Sequence, residues 1–185
     1  MTCRLRSQRL LLRPFVAADA PDVQRLANNR NIADTTLNIP HPYDVSAAEE
    51  WIATHAEKWT ARELMVFAVT ENTNNDFLGA CGLTISEKFE RAEIGYWIGE
   101  PYWGQGYCTE AAELVLKFGF EELDLHRIHG SYFARNPASG QVMRKLGMQQ
   151  EGIAREHTKK WGVFEDLVLW GLLREEWRSR KKQVV

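Results

Sequence analysis

The segment Trp103-Gly104-Gln105-Gly106-Tyr107-Cys108-Thr109 holds the residues best suited to chemistry in this chain. Two glycines one residue apart let the backbone approach a ligand to contact distance. Behind them Ala111, Leu114, Val115 and Phe118 recur at helical spacing, and the unpaired first-turn amides of such a helix, aided by its dipole, attract an anion. That chemistry is recognition of a phosphate or pyrophosphate, hence of a nucleotide-like cofactor. A tight strand-to-helix connection alone would show the same Gly-x-Gly, so the surroundings must discriminate. No Gly-Lys-Ser/Thr follows, which excludes a P-loop. A dinucleotide fold needs a third glycine where Thr109 stands and an acidic residue closing the next strand, which here ends Phe133-Ala134-Arg135-Asn136. Only a phosphorylated ribose would suit Arg135.

Other reactive residue types have plainer readings. Cys108 at a helix start has the position of an activated thiol and equally that of a small packing residue. Cys3, Cys81 and Cys108 are too few and too scattered for a disulfide framework or a zinc knuckle. His126 and His129, three apart on a strand, point to opposite faces and make no metal pair. No metal is expected.

The elements that must carry these residues can be read from pattern. Arg9 to Arg13 is apolar between charges and predicts a first strand; Asp19 with Pro21 predicts the N-cap of a short helix through Val23 and Leu26. Asn28 to Asp44 is polar and irregular, a loop long enough to suggest a functional role. Ser46 to Glu49 reads as a capping box opening a helix through Ile52, Ala56 and Trp59. Leu64 to Thr70 and Phe77 to Ile85 form a predicted hairpin, Ala92 to Ile98 a strand, and the glycine segment leads to a helix ending near Glu122. Arg127 to Phe133 completes a β-α-β unit. Asn136-Pro137 opens the next helix and Gly147 stops it; two strands then turn near Trp161-Gly162 before a helical tail.

Composition bounds the rest. A length of 185 residues argues for one domain over 1–185. With 44% hydrophobic and 26% charged residues the chain has globular composition, and no apolar run reaches the length of a membrane helix. Without a signal-like N-terminus, a cytoplasmic location is expected. The 23 basic and 25 acidic residues leave no dominant basic field, so no direct nucleic-acid partner and no membrane partner are expected. The cluster Arg178, Arg180, Lys181 and Lys182 reads as a solvated tail.

Taken together, these motifs resemble the GNAT superfamily of acetyl-CoA-dependent N-acetyltransferases. The family's cofactor motif, Gln/Arg-x-x-Gly-x-Gly/Ala, is matched by Trp103 to Cys108 with two departures, Trp103 at its first place and Cys108 at its last. Glu93-Ile94-Gly95-Tyr96-Trp97-Ile98 before it, and Asn136-x-x-Ser139 through Leu146-Gly147-Met148 after it, keep the family's order. The chain looks closest to the branch of ribosomal-protein N-terminal alanine acetyltransferases, sharing its early Arg9–Arg13 strand and its ending from Glu151-Gly152 through Trp161-Gly162 to Asp166.

The resemblance implies a mixed α/β fold whose central twisted sheet splays at the cofactor cleft and is flanked by helices. Acetyl-CoA would lay its pyrophosphate on the amides of Gln105 to Thr109, within the turn Trp103-Gly104-Gln105-Gly106-Tyr107-Cys108, and its pantetheine along Tyr96, Trp97 and Ile98, with Asn136 also in contact. An amine would attack the thioester directly. The implied base is Glu93 or Glu156, with Thr158 in the place of Glu156 under another registration. Ser139 would serve the leaving thiolate, since Met143 stands where many members have tyrosine, or would merely cap its helix. The loop residues His41 and Tyr43 would border the acceptor, a primary amine that the branch implies is a ribosomal or other protein N-terminus. A small-molecule amine acceptor and a non-catalytic acyl-CoA-binding module stay open, as does a homodimer.

Overall fold

The computed structural model describes residues 3–183, with side chains through residue 180; the side chains of Lys181 and Lys182 lie outside the described residues. In chain order the elements are β1 (Leu5–Arg6), β2 (Leu10–Pro14), α1 (Ala20–Ala27), α2 (Arg30–Thr35), α3 (Val45–Ala53), α4 (His55–Thr60), β3 (Leu64–Glu71) and β4 (Phe77–Ser86). They continue as β5 (Arg91–Ile98), α5 (Tyr107–Glu121), β6 (Arg127–Phe133), α6 (Pro137–Lys145), β7 (Gln149–Lys160), β8 (Val163–Leu173) and α7 (Arg174–Gln183). The strands form one sheet in the order β1-β2-β3-β4-β5-β6-β8-β7. Every neighbouring pair is antiparallel except β5 and β6, which the crossover helix α5 joins in parallel.

Period-two alternation divides β3 between two cores. On β3, Phe67 and Val69 enter a main core with Ala111, Val115 and Phe118 of α5, while Ala68 between them joins a second core with Val23 and Leu26 of α1, Ala48 and Ile52 of α3, and Phe77. The sheet is therefore covered by α5 on one face and by α1 and α3 on the other. The parallel pair is short: only Arg91, Ala92 and Glu93 are in register with Arg127, Ile128 and His129, and beyond them the strands part. β5 stays paired to β4 as far as Ile98, and β6 to β8 as far as Phe133, so each strand follows its other partner.

Three local expectations are corrected. The stretch 28–44 contains α2, where Asn29 accepts from the Asn31 amide at 2.8 Å and Ile32 and Ala33 are buried; six residues are too few to show a period. The helix expected from Ser46 to Trp59 is two helices, α3 and α4, divided at Thr54, whose hydroxyl donates to the Trp51 carbonyl at 2.9 Å. Asp44, with no side-chain cap bond, takes the N-cap position of α3 in place of Ser46. Asp19 does stand at the N-cap of α1, as expected, but its side chain makes no cap bond. It is buried and accepts two hydrogen bonds from Arg13 at 2.7 and 2.8 Å and one from the Val16 amide at 2.9 Å, tying β2 to the helix start.

His55, first residue of α4, is buried with neither ring nitrogen hydrogen-bonded, and its ring lies against Trp51 at 4.5 Å and Phe15 at 5.2 Å. Burial, then the nearby Lys58 charge, lowers its pKa from 6.5 to about 4. Because the folded value lies below the unfolded one, the unfolded chain binds the extra proton between those values, and stability is lost as pH falls from 6.5 toward 4. Linkage puts the effect of this group between pH 7 and pH 5 at about 2 kcal/mol. Urea unfolding at the two pH values should show that loss in the wild type and show it reduced by about that amount in His55→Leu.

Candidate active site

Where β5 and β6 part, backbone amides and carbonyls on their facing edges have no strand partner, and a cleft of about 920 Å³ opens between them. It runs from the start of α5, past Tyr96 to Ile98 on one wall and Ser131 to Phe133 on the other, to α2 and the loop after it. Gly104 (φ 74°) and Gly106 (φ 82°) carry the backbone into the left-handed region at the α5 end, with Gly106 as the N-cap. An added Cβ at Gly104 meets nothing within 4 Å, so the turn presents bare backbone to the cleft. The first-turn amides of α5 point the same way.

Arg9 holds this turn in place, which sequence reading missed although Arg9 opens the strand it singled out. Its guanidinium donates to the Gln105 carbonyl at 3.0 Å and to Glu110 at 2.7 Å, and stacks on the Tyr107 ring at 4.6 Å. Ser7 donates to the same carboxylate at 2.6 Å. Burial raises the Glu110 pKa, but the hydrogen bonds from Ser7 and Arg9 and the Arg9 charge outweigh it and leave the carboxyl below its ordinary value. Gln105 and Thr109 flank the clamp, and Thr109 lines the cleft.

Trp103, in the motif's usually polar first place, donates its indole N–H to the Ile98 carbonyl at 2.6 Å. It caps the end of β5, so that carbonyl already has a donor, whereas the resemblance reserved this edge for pantetheine. Trp97 lines the cleft and packs on Phe77 at 5.9 Å. Cys108 also lines the cleft, but burial pushes its thiol up to about 12. A thiol so protonated is a packing residue, not a nucleophile.

Asn136 occupies the N-cap of α6 without a side-chain cap bond and lines the cleft, so its amide is available to a ligand. Ser139 does not cap the helix either. Its Oγ lies 3.0 Å from the Tyr96 hydroxyl, across the cleft, and Tyr96 Oη is also 3.1 Å from the Ser139 carbonyl. The sequence placed Tyr96 on the strand but carried no sign of this contact. Met143 is buried, packed toward Gly130 and Ile94.

At the other end Glu93, at the point where β5 and β6 part, lines the cleft with Ser131, whose hydroxyl is 3.5 Å away. Glu156 and Thr158 do not line it. Glu156 sits on an irregular stretch of β7 at φ 50°, exposed, with its amide donating to Asp166 at 2.7 Å; the bulge between Ala154 and Thr158 turns this segment outward. His41 is exposed and also outside the cleft lining, whereas Tyr43 lines the cleft from within the second core, its amide donating to Asn28 at 2.9 Å. The loop is pinned by Lys160, which is buried and donates to the carbonyls of Leu37 at 3.1 Å and Ile39 at 2.8 Å. Arg135 binds Asp34 at 2.5 Å and Glu165 at 2.8 Å, joining α2 to β8. Among the described residues lining the cleft only Glu93 and Lys145 are charged, and Lys145 lies on α6, bordering a groove beside Gly106 and Thr109.

The profile of the acetyltransferase (GNAT) domain family matches residues 9–149. The N-acetyltransferase p20 of Bacillus licheniformis is 29% identical over 94% of this chain and 97% of its own length. The ribosomal protein uS5 alanine N-acetyltransferase of Escherichia coli is 26% identical over 60% of this chain and 58% of its own. Among solved structures, the ribosomal L7/L12 α-N-protein acetyltransferase RimL in complex with coenzyme A superposes with a TM-score of 0.87 at 17% identity, covering 94% of this chain and 99% of that one.

A side chain at Gly106 must adopt a strained φ and stand among the first-turn amides. Gly106→Val should weaken coenzyme A binding, measured by calorimetry, by at least tenfold, about 1.4 kcal/mol, with the fold retained by circular dichroism.

Proposed function

This chain belongs to the GNAT acetyltransferase family and is an acetyl-CoA-dependent N-acetyltransferase, and from that premise we propose that its acceptor is a protein N-terminal α-amino group, served by one domain spanning residues 1–185. The observation that carries the proposal is the charge of the cleft. Away from Lys145 its lining, among the described residues, offers one carboxylate and no cation. A free amino acid or a phosphorylated amine would bring an anion with nothing to receive it, and the nearby cations are committed, Arg135 to Asp34 and Glu165 and Lys160 to two loop carbonyls. A polyamine would leave its further charges without carboxylates. A peptide N-terminus brings a single positive charge to Glu93 and neutral backbone to the surrounding apolar walls of Leu37, Val66 and Leu167. The names of the uS5 and L7/L12 enzymes agree with a protein acceptor.

The acetyl thioester supplies the acyl group. The amides of Gln105 to Thr109 hold its pyrophosphate, and the free edge of β5 at Tyr96 and Trp97 orients the chain leading to the acyl carbon, with Asn136 opposite. Glu93 accepts the proton the amine must lose, through water. That demand is modest, because an α-amino group has a pKa of about 8 against about 10.4 for lysine. Ser139 donates to the sulfur as the C–S bond breaks. Among the two carboxylates the sequence offered, position in the cleft favours Glu93 over Glu156.

Two measurements test this. In an assay following released thiol, peptides with a free N-terminus should turn over, whereas the corresponding free amino acids and spermidine should give at least tenfold lower kcat/KM. A free amino acid that matches the peptides would overturn the assignment. Glu93→Gln should lower kcat/KM by about tenfold to a hundredfold, reaching at most the lower end of the usual general-base range of about 10²- to 10⁴-fold, and flatten the rise of rate with pH. Glu156→Gln should stay within about twofold, since it touches no part of the cleft.

A further inference from the structure

Tyr96 and Ser139 meet across the parted strands, one from the middle of β5 and the other from the first turn of α6, and both line the cleft. One phenolic hydrogen lies within reach of two oxygens of the same residue, Ser139 Oγ at 3.0 Å and its carbonyl at 3.1 Å. Between the two hydroxyls there are two hydrogens. If the phenol donates to the carbonyl, the serine hydroxyl can donate to Tyr96 Oη and is spent. If the phenol turns to Ser139 Oγ, the serine hydrogen is released toward the cleft. Gly140 lets α6 pack this closely, because a Cβ there would lie 2.4 Å from the hydroxyl of Tyr132 on β6. Met143 brings no hydroxyl to the helix.

We propose that Tyr96 is a positioning residue for the leaving group: by donating to Ser139 Oγ it directs the serine hydrogen at the thioester sulfur. The proposal rests on Ser139 serving the departing thiolate, as above. As the amine nitrogen bonds to the carbonyl carbon and the C–S bond breaks, its electron pair passes to sulfur. The Ser139 hydrogen turns to that growing charge and the Tyr96 hydrogen turns from the carbonyl to the serine oxygen. Neither hydroxyl loses its proton. The amine's proton leaves through water and Glu93, and the thiolate, of a class with a pKa of about 8.5, takes its proton from water on release. Burial, with lesser contributions from the neighbouring Cys108, holds the Tyr96 pKa well above its ordinary value despite the Ser139 contact, so the phenol stays a donor at every working pH.

The test compares single-turnover rates and coenzyme A affinities of Tyr96→Phe, Ser139→Ala and the double variant. Ser139→Ala should lower the rate by tenfold to a hundredfold and Tyr96→Phe by about tenfold, with coenzyme A affinity within twofold in both, and the double variant should be no slower than Ser139→Ala alone, because Tyr96 acts only through that hydroxyl. Ser139→Thr, which keeps a hydroxyl, should recover much of the rate with Tyr96 present and clearly less with Phe at 96. Additive losses, or a Tyr96→Phe variant that loses affinity and thermal stability at an unchanged rate, would show a mere clamp and overturn the proposal. If Ser139→Ala slows the reaction and Tyr96→Phe does not, the relay falls while the role of Ser139 stands; an unaffected Ser139→Ala removes both. Should Tyr96→Phe fail to fold, fluorotyrosine placed at 96 keeps the ring and both contacts and changes only the acidity of the donor. It should shift the rate in wild type and leave Ser139→Ala unmoved, and equal rates in wild type would overturn the proposal.

Discussion

The structure depends on the early parting of its two parallel strands. Three residue pairs join β5 to β6, and after Glu93 and His129 each strand keeps its antiparallel partner and abandons the other. Buried backbone groups without partners are costly, so a sheet split in its interior calls for something polar to lie along its edges. The pseudo-peptide arm of an acyl-CoA has amides to match such an edge. The same parting aims the start of α5 at one end of the gap and leaves Glu93 at its apex, so one backbone feature places both the helix amides and the carboxylate proposed to take the proton.

Around that gap the charges are sorted rather than merely balanced. At the α5 end, helix amides and Lys145 gather positive potential, and the carboxylate of Glu110 is neutralised by Arg9 in the act of clamping the turn. At the end proposed for the acceptor, Glu93 is the charged group among the described lining residues, and the cations nearby are spent on Asp34, Glu165 and loop carbonyls. Those same contacts fasten α2 and the loop after it to β7, β8 and the turn after β6. Lys160 is a telling case: burial lowers its pKa first of all, the cost of a desolvated ammonium, yet its two carbonyl contacts secure the loop from below. The shape of the cleft wall there is thus set by residues outside the cleft lining.

Much of this was legible in the sequence because it is local. Gly104 and Gly106 mark a turn where backbone can come close to a ligand, the apolar spacing of Ala111, Val115 and Phe118 marks α5, and two runs of β-forming residues around a turn cluster mark the β3–β4 hairpin. Where the local signal was thin, reading went astray. Six residues of α2 carry no period, the division at Thr54 between α3 and α4 interrupts a continuous apolar spacing, and the exposed His41 near a buried Tyr43 shows that a proline-rich loop does not disclose which side chain turns inward.

What the chain determined by itself, then, was the order of elements, the cofactor turn and the family that shares them, all properties of residues near one another along the backbone. Tertiary structure alone decided the contacts between segments distant in sequence. Arg9 reaches Glu110 over 101 residues, Tyr96 reaches Ser139 over 43, and Lys160 reaches Leu37 over 123. It also separated Glu93 from Glu156: both are carboxylates in plausible places along the chain, but the bulge in β7 turns one to solvent while the parting of β5 and β6 leaves the other in the cleft. The physical reason is that a side chain's chemistry belongs to its residue, whereas its partner, its burial and the direction it faces are set only when the strands have chosen their neighbours.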